Sequence, residues 1–312
     1  MSEHSFAGVR ALVIGYGSIG RRHAKILRES GAAVSIVTAD TTEPGSHRTI
    51  SAAVAAAAPE YAIVSNPTAK HLAALEELQA LGFSGRLLVE KPLFAEPADS
   101  RAFETAFPRA AVGYNLRFHP LISKLREHLR GQRVIGVRMH VGQHLADWRP
   151  ETSYREGSSA RRALGGGALR DLSHELDLMS HLFGPWRRAS AIGGNYGVLE
   201  IETDEYWSIL FELETGAVAT VTLSYLDRPA ERKILVETDT RTLRVDLING
   251  TFAVDAESLS VPFAINDTYL LQHQAILSGR FDVACSLRQG AMVLETIAAI
   301  ETAASAGEWV RK

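Results

Sequence analysis

The chain has 312 residues, of which 46% are hydrophobic and 22% charged, and its formal net charge is −3. This composition is typical of a globular protein, and the length predicts two domains with separate cores. The small negative charge argues against nucleic acid or an anionic membrane as a partner. No apolar run approaches the ~20 residues of a membrane helix, and the first residues lack a signal-peptide profile. Cys285, the single cysteine, can form no internal disulfide. We therefore expect a cytoplasmic protein.

The first segment with a recognisable pattern is VRALVIGYGSIGRRHAKILRES, which predicts a short apolar strand, a glycine turn and a helix. Gly15, Gly17 and Gly20 form a G-x-G-x-x-G pattern. In such a turn the first glycine permits the bend, the second lets a pyrophosphate approach the backbone, and the third allows close helix–strand packing. The pattern alone also fits a methyltransferase, so it predicts a nucleotide site without deciding the cofactor.

An acidic residue follows the second predicted strand, AVSIVT, at Asp40, 20 positions beyond Gly20. A carboxylate there can bind the ribose hydroxyls and repel a 2′-phosphate, which favours NAD over NADP. The alternative is a solvated loop aspartate. Arg48 lies close enough in sequence to leave NADP open.

Polar residues also follow the later predicted strands of this half. Asn66 and Pro67 come after YAIVS, and Glu90-Lys91-Pro92 ends RLLVEKP. Ligands bind at the carboxyl ends of strands in open α/β sheets. Lys91 is one of only six lysines in the chain, which favours a function over an ordinary solvent-facing side chain. Asn115 and Arg117 follow a further strand.

The most polar helix-like run is GGGALRDLSHELDLMSHLFG, residues 165–184. On one continuous helix Asp171, His174 and Asp177 share a face, because residues three apart are neighbours. A histidine exchanges protons near neutral pH and a carboxylate can orient it. His181 lies roughly on the same face and could suggest a metal set, but we expect no metal because zinc sites usually use cysteine or three convergent ligands.

The segment before the glycines, DWRPETSYREGSSARR, is rich in aromatic, arginine and serine residues. Trp148 or Tyr154 can stack on a sugar ring, and arginines can bind a carboxylate or a phosphate. An exposed loop whose arginines are merely solvated remains the alternative. The arginines concerned are Arg149, Arg155, Arg161 and Arg162.

The motifs together resemble the Gfo/Idh/MocA family, named after glucose–fructose oxidoreductase and inositol dehydrogenase. The resemblance rests on GYGSIGRRHAKIL, NPTAKH, EKPL, GYNLRFHP and GGGALRDLSHELD, in the family's order and spanning nearly the whole chain. It implies an α/β protein with a Rossmann doubly wound parallel sheet in residues 1–120. Residues 121–312 would form a substrate-binding and dimerisation α/β domain with a large open mixed, mainly antiparallel sheet. The β-rich runs near Thr215-Gly216 and Asn249-Gly250 agree with that second sheet.

The resemblance further implies an NAD(P)-dependent oxidoreductase acting on a hydroxyl or keto carbon of a sugar, inositol or nucleotide sugar, as a homodimer or homotetramer. His174 would be the acid/base, Asp171 its companion, and Lys91 would bridge the nicotinamide ribose and the reacting hydroxyl. The implied cofactor contacts are Gly15, Gly17, Ser18, Ile19, Gly20, Asp40, Asn66, Pro67, His71, Glu90, Lys91 and Asn115. The implied substrate contacts are Arg117, Trp148, Arg149, Tyr154, Arg161, Asp171 and His174.

One spacing departs from the family's commoner pattern, in which three residues separate the aspartate from the histidine. Here Asp171 and His174 are separated by two residues, which makes Asp171 the less secure partner. The shorter spacing resembles a branch associated with surface-polysaccharide or sialic-acid-like sugars. A catalytically inactive, cofactor-binding regulatory protein is the alternative function, although such a sensor has no chemical need for both Lys91 and His174.

Overall fold

A computed structural model describes residues 5–148 and 153–312. The chain divides into two compact units. The first comprises Met1–Phe118 and Ile265–Leu294, and the second comprises His119–Ala264 and Glu295–Lys312. The sequence predicts one boundary at residue 120, whereas the first unit also includes residues 265–294 from late in the chain. The division into domains of 1–120 and 121–312 stays a prediction.

Within the described residues, the first unit holds a six-stranded parallel sheet in the order β3-β2-β1-β4-β5-β6. Its strands are β1 Arg10–Ile14, β2 Ala33–Val37, β3 Ser46–His47, β4 Tyr61–Val64, β5 Arg86–Val89 and β6 Ala110–Val112. The helices between them are α1 Ser18–Glu29, α2 Ile50–Ala57, α3 His71–Ala80 and α4 Arg101–Ala106. Strand β4 is buried along its whole length, as expected for a parallel strand covered on both faces. The predicted doubly wound sheet is confirmed.

A helix from late in the chain completes the first unit. Helix α8 spans Asp267–Leu277, and its Ala275 and Ile276 pack in one apolar cluster with Val13, Leu27 and Ile63. This burial supplies the physical reason why residues 265–294 join the first unit, since α8 would otherwise expose that apolar face.

In the part of the chain that the structure describes, the second unit holds a nine-stranded sheet in the order β14-β13-β12-β11-β7-β10-β9-β8-β15. Strands β10 and β7 pair in parallel, and the other neighbours are antiparallel. Buried and exposed residues alternate along β9 and β10, so one sheet face is covered and the other is open. The predicted mixed, mainly antiparallel sheet is confirmed. Its strands are β7 Val134–Gly142, β8 Trp186–Gly194, β9 Tyr206–Leu213, β10 Val218–Ser224, β11 Glu231–Thr238, β12 Thr242–Asp246, β13 Thr251–Val254, β14 Glu257–Ser260 and β15 Val310–Arg311.

The remaining helices are α5 Pro120–His128, α6 Ala168–Asp171, α7 His174–Phe183 and α9 Leu287–Ala306. No helix among the described residues is both long enough and apolar enough to cross a membrane.

Candidate functional site

The glycine turn lies between β1 and α1, at the carboxyl edge of the parallel sheet. Gly15 has a φ of +96°, and a Cβ there would lie 2.5 Å from the Asn66 backbone. A Cβ on Gly20 would overlap the Gly15 carbonyl oxygen and lie 2.9 Å from Ser65 Oγ. These two glycines are therefore required by the packing of the turn itself.

Gly17 differs from both. It caps α1 with φ −74° and ψ −168°, an extended conformation that any residue adopts. A Cβ built on it would meet no heavy atom of the described residues within 4 Å. Neither backbone strain nor internal packing requires a glycine here, so the space beside Gly17 suits the close approach of a ligand. The backbone N–H groups of Ser18 and Ile19 belong to the first turn of α1, where N–H groups lack helical partners and attract phosphate.

Asp40 follows β2 and is exposed. Its Oδ1 accepts hydrogen bonds from the Thr42 hydroxyl at 2.8 Å and the Thr42 backbone N–H at 3.1 Å. These bonds to Thr42 lower the pKa of the Asp40 carboxyl below its usual value. The carboxylate is thus ionised at neutral pH, and its contact with ribose hydroxyls stays a prediction.

His71 connects the loops that follow β4 and β5. Its Nε2 lies 3.0 Å from the Asn66 carbonyl oxygen and its Nδ1 lies 3.1 Å from the Leu93 carbonyl oxygen. Burial lowers the pKa of this imidazole. The side chain braces the loop containing Asn66 and Pro67 against the loop after Lys91. Direct cofactor contact by His71 stays a prediction.

Glu90 and Lys91 lie directly after β5. Glu90 Oε2 accepts the Lys91 backbone N–H at 3.1 Å, and the Lys91–Pro92 peptide bond is cis. Glu90 is nearly buried, while Lys91 is partly exposed. The carboxylate thereby fixes the backbone from which the Lys91 side chain leaves the sheet edge.

Asn115 and Arg117 lie in a short 3-10 turn after β6 and are both buried. Asn115 Nδ2 donates to Thr268 Oγ1 at 2.7 Å, and Arg117 Nη1 donates to Gln289 Oε1 at 3.0 Å. Both side chains tie residues 265–294 to the sheet, a contact that the sequence patterns did not indicate. Their cofactor and substrate roles stay predictions.

In the second unit Gly166 and Gly167, the last two of the three glycines before α6, are packed against other segments of the same chain. A Cβ on Gly166 would overlap the Ser158 carbonyl oxygen, and a Cβ on Gly167, whose φ is +119°, would overlap the Asp204 carboxylate. Asp204 Oδ2 accepts the Leu169 N–H at 2.8 Å and Trp207 Nε1–H at 2.6 Å. Because residues 166 and 167 have no side chain, the loop at Ser158 and the half-buried Asp204 carboxylate can pack directly against the start of α6.

The expectation of one continuous helix through residues 168–183 is wrong. Helix α6 ends at Asp171 and α7 begins at His174. The Ser173 N–H bonds to the Arg170 carbonyl, three residues back, so the turn tightens and the α-helical ladder is interrupted. Asp171 therefore does not share a helical face with His174 and Asp177, whereas those two residues, three apart in α7, keep a common face.

Asp171 is held by residues that the motifs did not reveal. Its Oδ2 accepts the Ser159 hydroxyl at 2.5 Å and the Tyr225 hydroxyl at 2.6 Å. Tyr225 is fully buried, and burial together with the Asp171 charge raises its pKa well above the usual value. Ser159 is 12 and Tyr225 is 54 positions from Asp171. No local periodicity encodes contacts of this length.

The other polar residues of α7 have separate environments. His174 and His181 are half-buried, whereas Asp177 is buried. Glu175 is also buried and accepts Arg232 Nε–H at 2.8 Å. Over residues 5–148 and 153–312, no group of three His, Cys, Asp or Glu residues could hold a metal ion.

The aromatic and arginine segment contributes exposed cations and two aromatic rings. Trp148 packs edge-to-face on Tyr225 with centroids 5.3 Å apart, and the Tyr154 hydroxyl donates to the Leu199 carbonyl at 3.2 Å. Arg155 pairs with Glu200 at 2.8 Å, and Arg161 is exposed. Arg149 lies outside the described residues. Sugar stacking and anion binding by this segment stay predictions.

A family model described as GFO/IDH/MocA C-terminal domain matches residues 122–251. This match identifies a Gfo/Idh/MocA C-terminal domain within the second unit. The resemblance carried by the sequence motifs is thus confirmed, and the matched region covers most of the mixed sheet of the second unit.

Solved structures share the Gfo/Idh/MocA fold over nearly the whole chain. Levoglucosan dehydrogenase in complex with NADH is 15% identical, covers 97% of this chain and 98% of its own, and gives a TM-score of 0.83. GenD2 from gentamicin A biosynthesis, in complex with NAD, is 21% identical, with 100% and 98% coverage and a TM-score of 0.81. UDP-N-acetylglucosamine 3-dehydrogenase GnnA from Acidithiobacillus ferrooxidans is 19% identical, with 96% and 98% coverage and a TM-score of 0.78. A comparison with curated proteins gives no significant match.

Proposed function

We propose that this protein is an NAD(P)-dependent oxidoreductase that transfers a hydride between nicotinamide and a hydroxyl or keto carbon of a carbohydrate. The substrate class is a sugar, an inositol or a nucleotide sugar. The fold relatives named above include dehydrogenases of levoglucosan and of a UDP-sugar, which supports this class. The spacing of Asp171 and His174 supports a setting in surface-polysaccharide or sialic-acid-like sugar metabolism.

The observation that carries the proposal is the geometry at Gly17. Its two neighbours in the motif are required by packing, whereas Gly17 is required by nothing within the described residues. A pyrophosphate approaching the backbone at the start of α1 explains the missing side chain. The same sheet edge holds Asp40 after β2, Asn66 after β4, and Glu90 and Lys91 after β5, on either side of the glycine turn after β1. Ligands bind at this edge in doubly wound folds.

When bound at this sheet edge, a nicotinamide would supply the hydride acceptor or donor. In the oxidative direction the alcohol loses a hydride from carbon and a proton from oxygen, and His174 takes that proton. The Lys91 ammonium stabilises the negative charge that develops on the oxygen. Asp171, fixed by Ser159 and Tyr225, supplies a carboxylate near the start of α7. Reduction of a ketone runs these steps in reverse.

Cofactor binding and turnover test the proposal separately. The protein is titrated with NADH, NADPH and S-adenosylmethionine while nicotinamide fluorescence is followed. A panel of sugars, inositols and nucleotide sugars is then assayed by NADH absorbance. We expect NADH to bind and at least one carbohydrate to be oxidised or reduced. Failure to bind either nicotinamide would contradict the proposal, and tight binding without turnover would favour the regulatory alternative.

Asp40 is expected to set the choice between NAD and NADP. Asp40→Asn removes the negative charge that opposes a 2′-phosphate while keeping a side chain of the same size. We expect the ratio of NADP to NAD affinity to rise by about tenfold, as for loss of one close charge repulsion. Fluorescence titration of both reduced cofactors measures the ratio, and Asp99→Asn, an exposed site elsewhere in the first unit, is the matched control. An unchanged ratio would contradict the assignment.

The open face of the mixed sheet is expected to pair with a second copy of the chain. Leu210 and Val218 are exposed on the neighbouring strands β9 and β10, and Ile192 on β8 is 76% exposed. Light scattering should give two or four times the chain mass of 33.9 kDa. Leu210→Asp should shift the protein towards 33.9 kDa, whereas Ile265→Asp, at an exposed apolar residue of the first unit, should not. A wild-type protein of single-chain mass would overturn this proposal.

A further inference from the structure

A buried chain of hydrogen bonds runs from Glu90 through two imidazoles to Tyr61. Glu90 Oε1 lies 2.9 Å from His23 Nε2, and His23 Nδ1 lies 2.9 Å from His273 Nε2. His273 Nδ1 lies 2.8 Å from the Tyr61 hydroxyl. All four ring nitrogens thus have a partner within this set, which we call the Glu90–Tyr61 relay.

The relay joins four separate elements of the first unit. His23 lies in α1, Tyr61 begins β4, Glu90 follows β5, and His273 lies in α8. The side chains of His23, His273 and Tyr61 are 0% exposed. A buried polar group without a hydrogen bond lowers the stability of the fold. We therefore expect each of these side chains to keep its hydrogen-bond partner.

A Glu90 carboxylate and a neutral His23 together allow one consistent set of donors. The carboxylate accepts only, so His23 Nε2 carries a proton and donates to it. A neutral His23 then accepts at Nδ1 from His273 Nε2–H, and His273 Nδ1 accepts from the Tyr61 hydroxyl. Burial lowers the pKa of His273 well below its usual value, and burial with the Glu90 charge raises the pKa of Tyr61. Both directions agree with a neutral His273 and a protonated tyrosine.

The far oxygen of Glu90 connects the relay to Lys91. Oε2 accepts the Lys91 backbone N–H at 3.1 Å, while Oε1 is held by His23. The carboxylate occupies the space above Gly113, where a Cβ would lie 2.8 Å from the carboxyl carbon. The absence of a side chain at Gly113 therefore leaves room for the Glu90 carboxylate. Both carboxylate oxygens have a hydrogen-bond partner, His23 at Oε1 and the Lys91 N–H at Oε2.

We propose that His23, His273 and Tyr61 are positioning residues that act through Glu90 to fix the backbone of Lys91. The relay holds the Glu90 carboxylate in one position, and this carboxylate accepts the Lys91 backbone N–H. The position of the Lys91 backbone, and with it the start of the Lys91 side chain, is therefore fixed. This inference rests on the proposed function for the role of Lys91, but the relay has consequences that are measured without turnover.

The direction of the relay is tested by ¹⁵N NMR of the imidazoles in the full chain labelled at histidine. His23 and His273 should both be neutral Nε2–H tautomers, with signals assigned from His23→Gln and His273→Asn. In Glu90→Gln the amide oxygen accepts the Lys91 N–H and the amide NH₂ faces His23. Both rings should therefore reverse to the Nδ1–H tautomer. Glu60→Gln, in the same unit and outside the relay, should leave both rings unchanged. A doubly protonated ring in the wild type, or no reversal in Glu90→Gln, would overturn the relay.

The link to Lys91 is tested by amide hydrogen exchange. Tyr61→Phe removes the donor to His273 Nδ1, and Gly113→Ala forces the Glu90 carboxylate to move. Each should speed exchange of the Lys91 amide by about tenfold, the size of one lost net hydrogen bond. Tyr196→Phe, at an exposed tyrosine of the second unit, is the control. Wild-type exchange at Lys91 in both Tyr61→Phe and Gly113→Ala would contradict the positioning role.

The same variants separate this inference from the proposed function. In an active enzyme Tyr61→Phe should lower kcat by about tenfold and leave the KM for NADH within about twofold, because misplacement of a reacting group affects turnover. A kcat within twofold of wild type, with faster exchange at Lys91, would contradict positioning. If no nicotinamide binds, the proposed function fails, while the tautomers and the Lys91 exchange still confirm or refute the relay.

Discussion

Replacing His174 by asparagine is expected to lower kcat by about 10²–10⁴-fold, the usual contribution of general acid–base catalysis. Asparagine keeps a hydrogen-bonding side chain but cannot exchange a proton near neutral pH. His174 begins α7 and is half-buried, so the substitution removes no part of the apolar core. Affinity for NADH should change little, because the proposed phosphate contacts belong to the other unit.

His181→Asn is the matched control for this experiment. It makes the same chemical change seven residues later on the same helix, at another half-buried histidine. Turnover by His181→Asn should stay within about twofold of wild type, and the two variants should have similar melting temperatures. If His174→Asn keeps more than half of the wild-type kcat, His174 is not the acid/base.

The parallel sheet and its polar edge were predictable from the sequence because their signals are local. Short apolar runs bounded by glycine and proline indicate buried strands, and the residues that follow them must lie at one edge of a parallel sheet. This reasoning correctly placed Gly15, Asp40, Asn66 and Lys91 after strands that the structure contains, namely β1, β2, β4 and β5. The turn at Asn249-Gly250 likewise joins β12 to β13, as its sequence indicated.

The contacts that hold the candidate catalytic residues were not predictable in this way. Tyr225 reaches Asp171 over 54 positions, and His273 reaches His23 over 250. Hydrophobic periodicity describes one element at a time, so it contains no signal for such pairs. The break between α6 and α7 was missed for a related reason. The apolar pattern continues through Leu172 and Leu176, while Ser173 is fully buried and its N–H bonds three residues back.

Substituting the second glycine of the motif should separate ligand binding from folding. Gly17→Val is expected to lower NADH affinity by at least about 100-fold, because the branched side chain fills the space where a pyrophosphate would contact the backbone. Gly17 is extended, a conformation that valine adopts readily, and a Cβ meets no heavy atom of the described chain within 4 Å. The melting temperature should therefore stay within about 2 °C of wild type.

Gly20→Ala is the complementary variant, and we expect it to lower the melting temperature, which Gly17→Val should leave nearly unchanged. The added Cβ would overlap the Gly15 carbonyl oxygen and approach Ser65 Oγ to 2.9 Å. Overpacking of this sort costs about 1–3 kcal/mol, which corresponds to a fall of several degrees in melting temperature. Scanning calorimetry and NADH titration of both variants distinguish the two glycines. Wild-type NADH affinity in Gly17→Val would show that this turn does not bind the cofactor, because no folding defect could then account for the result.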